Sequence, residues 1–374
     1  MEDTTMEDTT MEIKTEELRV VADDRSSIVQ SKGEIHGRAI QQQEHNRGYL
    51  ESFGKDPKLL FWVALLLWAQ VVQGFESQAS GTVIGIGVFK RRFGVYLDGE
   101  YDVATKWQSA MSGGGTAAIM VGAWLGSYIA DMVGNKPVIM AAAALGMASI
   151  GIEFAATSIG MYFGGKFLNF VAVRAFMNNC TTYIADISPL TIRASLVGLN
   201  NVAQCVGPLI CAVMAYYTTN WTDDWSWKSL ICTQWGFAGI TLIGSIFMPE
   251  SPVYLLEKGK ETAARKVLSS LYSKPSDAEG HFESIKLTLQ EAETQSSNLM
   301  DCFRGTNLRR TLIAILVFQA QPMSGLGFVY NYGALMYQYL GISDRQSFLL
   351  SIGGQILSIS GAFIAVLVSD LYGR

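Results

Sequence analysis

Gly74-Phe75-Glu76-Ser77-Gln78-Ala79-Ser80-Gly81 lies inside an apolar run that extends from Leu59 to Phe89. A run of that length exceeds the roughly 20 residues that cross a bilayer as a helix. It therefore reads as a membrane span with a carboxylate near its middle. A charge at that depth costs roughly 3 kcal/mol or more, so such groups face a protein interior or a watery cavity and are used or paired. The alternative puts Glu76 at a helix end, with the span finishing near Phe75. Val83 to Phe89 continues the apolar run beyond it and favours the first reading.

The rest of the chain agrees with a membrane class. Of 374 residues, 49% are hydrophobic and only 16% charged, and the mean hydropathy is +0.22. Soluble domains carry about 25% charged residues. Cys180, Cys205, Cys211, Cys232 and Cys302 show no metal-ligand spacing, and they read as small packing residues rather than a disulfide or metal framework. No nucleophile–base pair or zinc constellation stands out, so neither an enzyme nor a cofactor is expected.

Residues 1–58 are polar and charged and open with a tandem Met-Glu-Asp-Thr-Thr repeat. Too little apolar surface is present to fold them, so a disordered tail is expected. Acidic residues lead and no early apolar core follows, so a secretory signal is not expected there. Beyond Leu59–Phe89, candidate spans fall near 107–129, 137–158, 160–185, 194–217, 229–248, 311–337 and 347–369. That makes eight. The expected layout is a six-helix bundle over 59–248, a polar loop over 249–309, and two further spans over 310–374.

Basic residues set the orientation. Lys258, Lys260, Arg265, Lys266, Lys274, Lys286, Arg304 and Arg309 lie in 249–309, which the positive-inside rule places in the cytoplasm. Six preceding spans then put the N-terminal tail in the cytoplasm as well. Lys90, Arg91 and Arg92 argue the other way, partly balanced by Asp98, Glu100 and Asp102. The sequon Asn220-Trp221-Thr222 falls in an outer loop, whereas Asn179-Cys180-Thr181 falls inside span four and should be silent. Within the polar loop, Glu261 to Leu271 has the apolar spacing of an amphipathic helix, and a weaker one runs near Phe282 to Leu289. Both are expected to lie on the cytoplasmic face as struts.

Two short stretches repeat. Ala130-Asp131-Met132-Val133-Gly134-Asn135-Lys136 follows span two, and Asp370-Leu371-Tyr372-Gly373-Arg374 follows span eight. A motif recurring at the second helix of each half is an internal repeat of the kind many carriers are built from. Asp186-Ile187-Ser188-Pro189-Leu190-Thr191-Ile192-Arg193 follows span four, and Pro249-Glu250-Ser251-Pro252-Val253-Tyr254-Leu255-Leu256 follows span six. With these pieces the chain resembles the sugar porters of the major facilitator superfamily, over about residues 55 to 374. Trp107-Gln108, Asp223-Asp224-Trp225-Ser226-Trp227-Lys228 and Gln234-Trp235 look most like its fungal maltose and α-glucoside permeases.

The resemblance implies an all-α integral membrane protein of the major facilitator fold, with a complete six-helix N-terminal bundle and the first two helices of the second. It implies a monomeric carrier in the plasma membrane, whose partners are a sugar, protons and the lipid bilayer, with no nucleic acid. Proton-coupled uptake of a sugar, maltose or another α-glucoside, by alternating access is the leading expectation. A non-transporting sugar sensor and a facilitative hexose carrier are the alternatives. Asp131, Arg193, Glu250, Asp370 and Arg374 match loop residues that tie helices together on the cytoplasmic face, through carboxylate–guanidinium pairs that form and break with conformation. Asn201 on span five and Gln321 on span seven match sugar-binding positions, where amides offer both donors and acceptors to hydroxyls.

Glu76 matches the acidic position of proton-coupled members, and Lys166 the basic residue of span four. Their depths agree: at 1.5 Å per residue, Lys166 sits about 9 Å below the outer end of its span, and Glu76 also falls in the outer half. Glu153 on span three is a rival partner for Lys166. Burial and a nearby ammonium act on a carboxylate in opposite senses, so the protonation of Glu76 is set by their competition. Some residues depart from the pattern. Phe170-Val171-Ala172-Val173-Arg174-Ala175-Phe176-Met177 stands where the family is glycine-rich, which is expected to block close helix approach near span four. Arg174 has no obvious partner. The family has twelve helices, so a chain ending at Arg374 is expected to be a fragment of a longer carrier.

Overall fold

The computed structural model describes residues 56–97, 100–294 and 299–372. The expected tail through residue 55, and Arg374, lie outside the described residues; so do the side chains of Gln321 and Asp370. Six long helices form the N-terminal bundle: α1 (Pro57–Ile84), α3 (Thr105–Val133), α4 (Asn135–Phe154), α5 (Ile159–Ile187), α6 (Leu190–Thr218) and α7 (Trp225–Phe247). Short α2 (Gly87–Phe93) and a hairpin of β1 (Val95–Leu97) and β2 (Glu100–Asp102) link α1 to α3. The 249–309 segment holds α8 (Pro252–Glu257), α9 (Glu261–Leu271), α10 (Pro275–Thr294) and a 3₁₀ turn over Leu299–Phe303. Helices α11 (Gly305–Met323), α12 (Leu326–Tyr339) and α13 (Asp344–Tyr372) complete the chain.

Length and apolarity suit α1, α3, α4, α6, α7 and α13 to crossing a membrane. The expected fourth span, α5, is long enough but carries Lys166, Asn169, Arg174, Asn178 and Asn179. Most of that polarity points inward, since Lys166, Asn169 and Asn179 are buried.

Two spans differ from the sequence reading. The first ends at Ile84, not Phe89, because the chain turns at Gly85 and Ile86 before α2 begins. The apolar run continues because Phe89 is wholly buried against Tyr162 and Trp227, not because it faces lipid. The seventh span is broken at Ser324-Gly325. Pro322 lacks a backbone donor and Gly325 takes φ +76°, which a residue with a Cβ adopts only under strain.

Close packing is carried by small residues. A Cβ on Gly74 would sit 1.9 Å from the Gln204 carbonyl oxygen, and one on Gly207 would sit 2.2 Å from the Phe75 nitrogen. Helices α1 and α6 therefore cross backbone to backbone. The expected block near span four is not found. Gly122 of α3 supplies the missing space, its absent Cβ lying 2.3 Å from the Val171 carbonyl oxygen. A glycine on either helix permits the same approach.

One apolar core joins the ends of α1, α5 and α6 to the loop helices, through Leu59, Ile184, Ile192, Leu268 and Phe282. Helices α9 and α10 thus pack into this core, and the weaker helix expected near Phe282 to Leu289 lies within α10. A second core at the opposite end gathers Phe75, Phe89, Tyr162, Trp227 and Phe348. There the two parts of the chain meet. Tyr332 Oη bonds the Gln108 carbonyl and Ser112 Oγ, Gln338 Nε2 donates to the Gly85 carbonyl at 3.1 Å, and Tyr339 Oη donates to Asp102 Oδ2 at 2.7 Å.

Candidate functional site

A buried ionic cluster sits between α1, α4 and α5. Lys166 Nζ lies 2.7 Å from Glu76 Oε1 and 3.3 Å from Glu153 Oε2. All three side chains are at most 2% exposed. The shorter contact is to Glu76, but the contact to Glu153 has hydrogen-bond alignment. Glu153 Oε1 also accepts from Asn169 Nδ2 at 2.9 Å, and the same amide reaches Gln234 Oε1 of α7 at 3.4 Å. Phe170 adds a ring face 5.9 Å from the ammonium. Glu153 is thus held by two donors, while Glu76 is held by Lys166 alone, through Oε1, and its Oε2 has no partner.

Gly165 explains why the cluster forms at this depth. An added Cβ there would stand 3.0 Å from the Glu153 backbone nitrogen, so α4 and α5 approach closely beside Lys166. The two expected partners, Glu76 and Glu153, are both within reach of the lysine. Asn169 is a member the sequence reading did not name, and Gln234 entered it only as part of the Gln234-Trp235 resemblance. The signal available was helical spacing, since Asn169 lies three residues from Lys166 on the same face.

A second polar centre lies at the 249–309 end. Glu250 Oε1 accepts from the backbone nitrogens of Lys136 at 3.1 Å and Ser251 at 2.9 Å. It thereby caps the first turn of α4, where a carboxylate also suits the helix dipole. Gly134 makes room for it: its φ is +102°, and a Cβ there would meet Glu250 Oε2 at 2.7 Å. Ser251 Oγ donates to Asp186 Oδ2 at 2.6 Å, and Tyr254 Oη donates to the Met132 carbonyl at 3.0 Å. The Asp-x-x-Gly turn, the end of α5 and the segment after α7 are thus joined through Glu250, Asp186 and Ser251.

The expected carboxylate–guanidinium pairs do not form among the described residues. Asp131 is exposed, and Arg193 turns back to donate to the Ser188 carbonyl at 3.3 and 3.4 Å. The backbone amides of Lys136, at the start of α4, and of Ser251 satisfy Glu250 instead. Asp370 lies in the last turn of α13. Asn201 is exposed on α6, and only the backbone of Gln321, in α11, is described. A cavity of about 160 Å³ between α1, α3, α5 and α12 is lined by the hydroxyl groups of Ser77, Ser80, Ser112, Thr116 and Tyr332.

Comparison with known proteins places these features. The family model described as sugar (and other) transporter matches residues 60–374. The general alpha-glucoside permease of Saccharomyces cerevisiae is 24% identical over 363 residues, covering 94% of this chain and 59% of the permease. An alpha-glucosides permease of the same yeast is 28% identical, over 85% of this chain and 55% of its own length. Among solved structures, the proton:xylose symporter XylE superposes with a TM-score of 0.73 at 19% identity, over 85% of this chain and 70% of that one. That likeness gives the fold, that of the major facilitator superfamily. The chain spans 55% to 59% of the length of these curated relatives. With the family model matching from Leu60 to the last residue, the chain belongs to the sugar transporter family.

Proposed function

We propose that the protein carries an α-glucoside such as maltose across the plasma membrane together with a proton, by alternating access. The observation that carries this reading is the buried cluster of Glu76, Lys166 and Glu153 in a chain of this family. With both carboxylates ionised the cluster bears one net negative charge, and one proton neutralises it. Glu153 keeps Lys166 and Asn169 as donors. Glu76 is then the group that takes up and releases the proton, and Lys166 is never left without a counter-ion. One proton moving down about 100 mV supplies about 2.3 kcal/mol, and about 1.4 kcal/mol is a factor of ten. That is enough for roughly fifty-fold accumulation.

The names of the yeast relatives support the substrate class. Asn201 and Gln321 belong to the same proposal as amide contacts to sugar hydroxyls, with the hydroxyl-lined cavity beside α12 as a further source of partners. The orientation proposed has the 249–309 segment and the N-terminus in the cytoplasm and the exposed sequon at Asn220 outside. Glu250 clamps the α3–α4 turn on the cytoplasmic face, and Asp131, Arg193, Asp370 and Arg374 are assigned contacts in other states of the transport cycle.

The test uses the protein expressed from its gene in cells lacking other α-glucoside carriers. Glu76→Gln is expected to abolish uphill uptake of labelled maltose while retaining exchange between equal concentrations. Uphill uptake with unchanged pH dependence in that variant would remove Glu76 from coupling. A wild-type protein that takes up no maltose or related glucoside would overturn the carrier reading itself.

A further inference from the structure

A cavity of about 30 Å³ lies inside the N-terminal bundle, between α1, α4, α5 and α7, next to the ionic cluster. It is separate from the hydroxyl-lined cavity. Val72 and Glu76 of α1 line the inner one, whereas Ser77, Ser80 and Gly81 line the other. Most of its wall is apolar, from Ala142, Ile150, Val173 and Ala238. Its polar wall includes Glu76, whose Oε1 is ion-paired with Lys166, and three atoms without a hydrogen-bond partner: Glu76 Oε2, Asn169 Oδ1 and Gln234 Nε2. The three side chains are at most 2% exposed. Leaving a buried donor or acceptor unmet costs about 1–3 kcal/mol each, which a water molecule with two to four polar neighbours removes. A water needs about 10–15 Å³ of such space, so one or two fit.

The polar atoms also match in kind. Gln234 Nε2 donates, Asn169 Oδ1 accepts, and the Glu76 carboxyl does either according to its protonation. Gly146 faces them: a Cβ there would lie 3.9 Å from Asn169 Oδ1 and from Ala172 Cβ, in open contact with both. From this level the cavity runs away from the cluster and toward the 249–309 end. Its lining passes from Asn169 to Phe176 on α5 and from Gln234 to Thr241 on α7, which is about 10 Å at 1.5 Å per residue.

We propose that this cavity is a water site, whose water bridges Glu76 to Asn169 and Gln234 and is the first acceptor of the Glu76 proton. The step breaks the carboxyl O–H bond and forms a hydronium, while the ammonium of Lys166 pairs with the carboxylate left behind. The proton thus leaves on the face of α1 that lines the inner cavity, not on the one bearing Ser77 and Ser80. The second half of this proposal rests on the proton-coupling reading of Glu76; the water site itself does not.

Difference infrared spectroscopy of the whole protein in ordinary and ¹⁸O-labelled water, stepped in pH, tests both halves. The wild type is expected to show a carboxyl band that Glu76→Gln removes, rising together with water bands that shift with ¹⁸O. Gly146→Val is expected to lose the water bands, to displace the carboxyl band, and to slow sugar-driven proton uptake at least tenfold. Gly146→Ala, the milder change, should weaken the same bands in a bundle that packs normally. A carboxyl band that titrates without any ¹⁸O-sensitive partner overturns the water site. So do water bands that persist unchanged in Gly146→Val. If the water bands behave as stated but Glu76→Gln leaves sugar-driven proton uptake intact, the coupling reading fails and the water site stands.

Discussion

The N-terminal bundle holds two polar centres, and they are built on opposite principles. Around Lys166 three charges are buried within the helices, and Glu76 has Lys166 as its one partner, with Oε2 left unmet. Around Glu250 the carboxylates sit near the surface, and neutral donors satisfy them: the backbone amides of Lys136 and Ser251 for Glu250, the Ser251 hydroxyl and the Asn135 side-chain amide for Asp186. A satisfied centre at the end of the helices holds a shape. An incompletely satisfied one in the middle responds to a change of a single proton, because in a low-dielectric interior each unmet group weighs heavily.

Removing the cation is expected to have the largest effect. Lys166→Met leaves Glu76 and Glu153 side by side without a counter-charge, and breaking a buried ion pair in this way costs about 3–5 kcal/mol. Thermal unfolding of the purified protein should show it. Adding Glu76→Gln and Glu153→Gln to that variant should recover most of the loss. An unchanged melting temperature in Lys166→Met would erase the contrast, since the inner centre would then be no more demanding than the outer.

The next effect concerns the loop helices. His281 of α10 is buried beside Tyr272, with ring centroids 5.5 Å apart. Burial, with the Arg193 guanidinium adding to it, pushes the His281 imidazole down to about 4. The unfolded segment binds the proton more readily, so stability rises with pH across the window from about 6.5 to about 4. Above that window the histidine carries no penalty; at its acid end the penalty is roughly 3 kcal/mol. Protection of the α10 amides against hydrogen exchange, taken relative to the intrinsic rate at each pH, is expected to fall as pH drops from 7 to 4.5, and His281→Phe should flatten that profile. A wild-type profile that is already flat would show that α10 is not held by this burial.

The smallest effect sharpens the comparison at the Glu250 centre. Ser251→Ala removes the 2.6 Å bond to Asp186 and the cap on the Tyr254 nitrogen, at about 1–2 kcal/mol. The loss should appear as faster proteolysis of the 249–309 segment, with the Lys166 cluster unaffected. A loss as large as that of Lys166→Met would mean that the two centres are energetically one.

How much of this was legible differs from residue to residue. The α9 boundaries, Glu261 and Leu271, follow from apolar spacing alone, because an amphipathic helix writes its buried face into the sequence. The α1 boundary did not, because hydropathy treats burial under Tyr162 and Trp227 like exposure to lipid. Glu76 and Lys166 stood out as charges inside apolar runs, and Glu153 could be named as a rival. That both carboxylates hold the one lysine was not readable. The contacts of Asn169, Gln234 and Ser251 were not readable for a related reason: amides and hydroxyls are common in such helices, and only their neighbours give them a task.

The sequence by itself determined the membrane class, the positions of most of the long apolar helices, the 249–309 segment between them, and the presence of charges too costly to bury without a purpose. Periodicity and hydropathy are local, so they are complete within one helix. Tertiary structure alone decided which faces meet. Gly74 and Gly207 bring α1 onto α6, Gly165 brings α4 onto α5, and those approaches put Glu76, Lys166 and Glu153 in contact. They also leave the small cavity beside Asn169 and Gln234. A one-dimensional pattern specifies that a side chain points inward; it does not specify which helix stands opposite at the same depth, and the chemistry of this site depends on that.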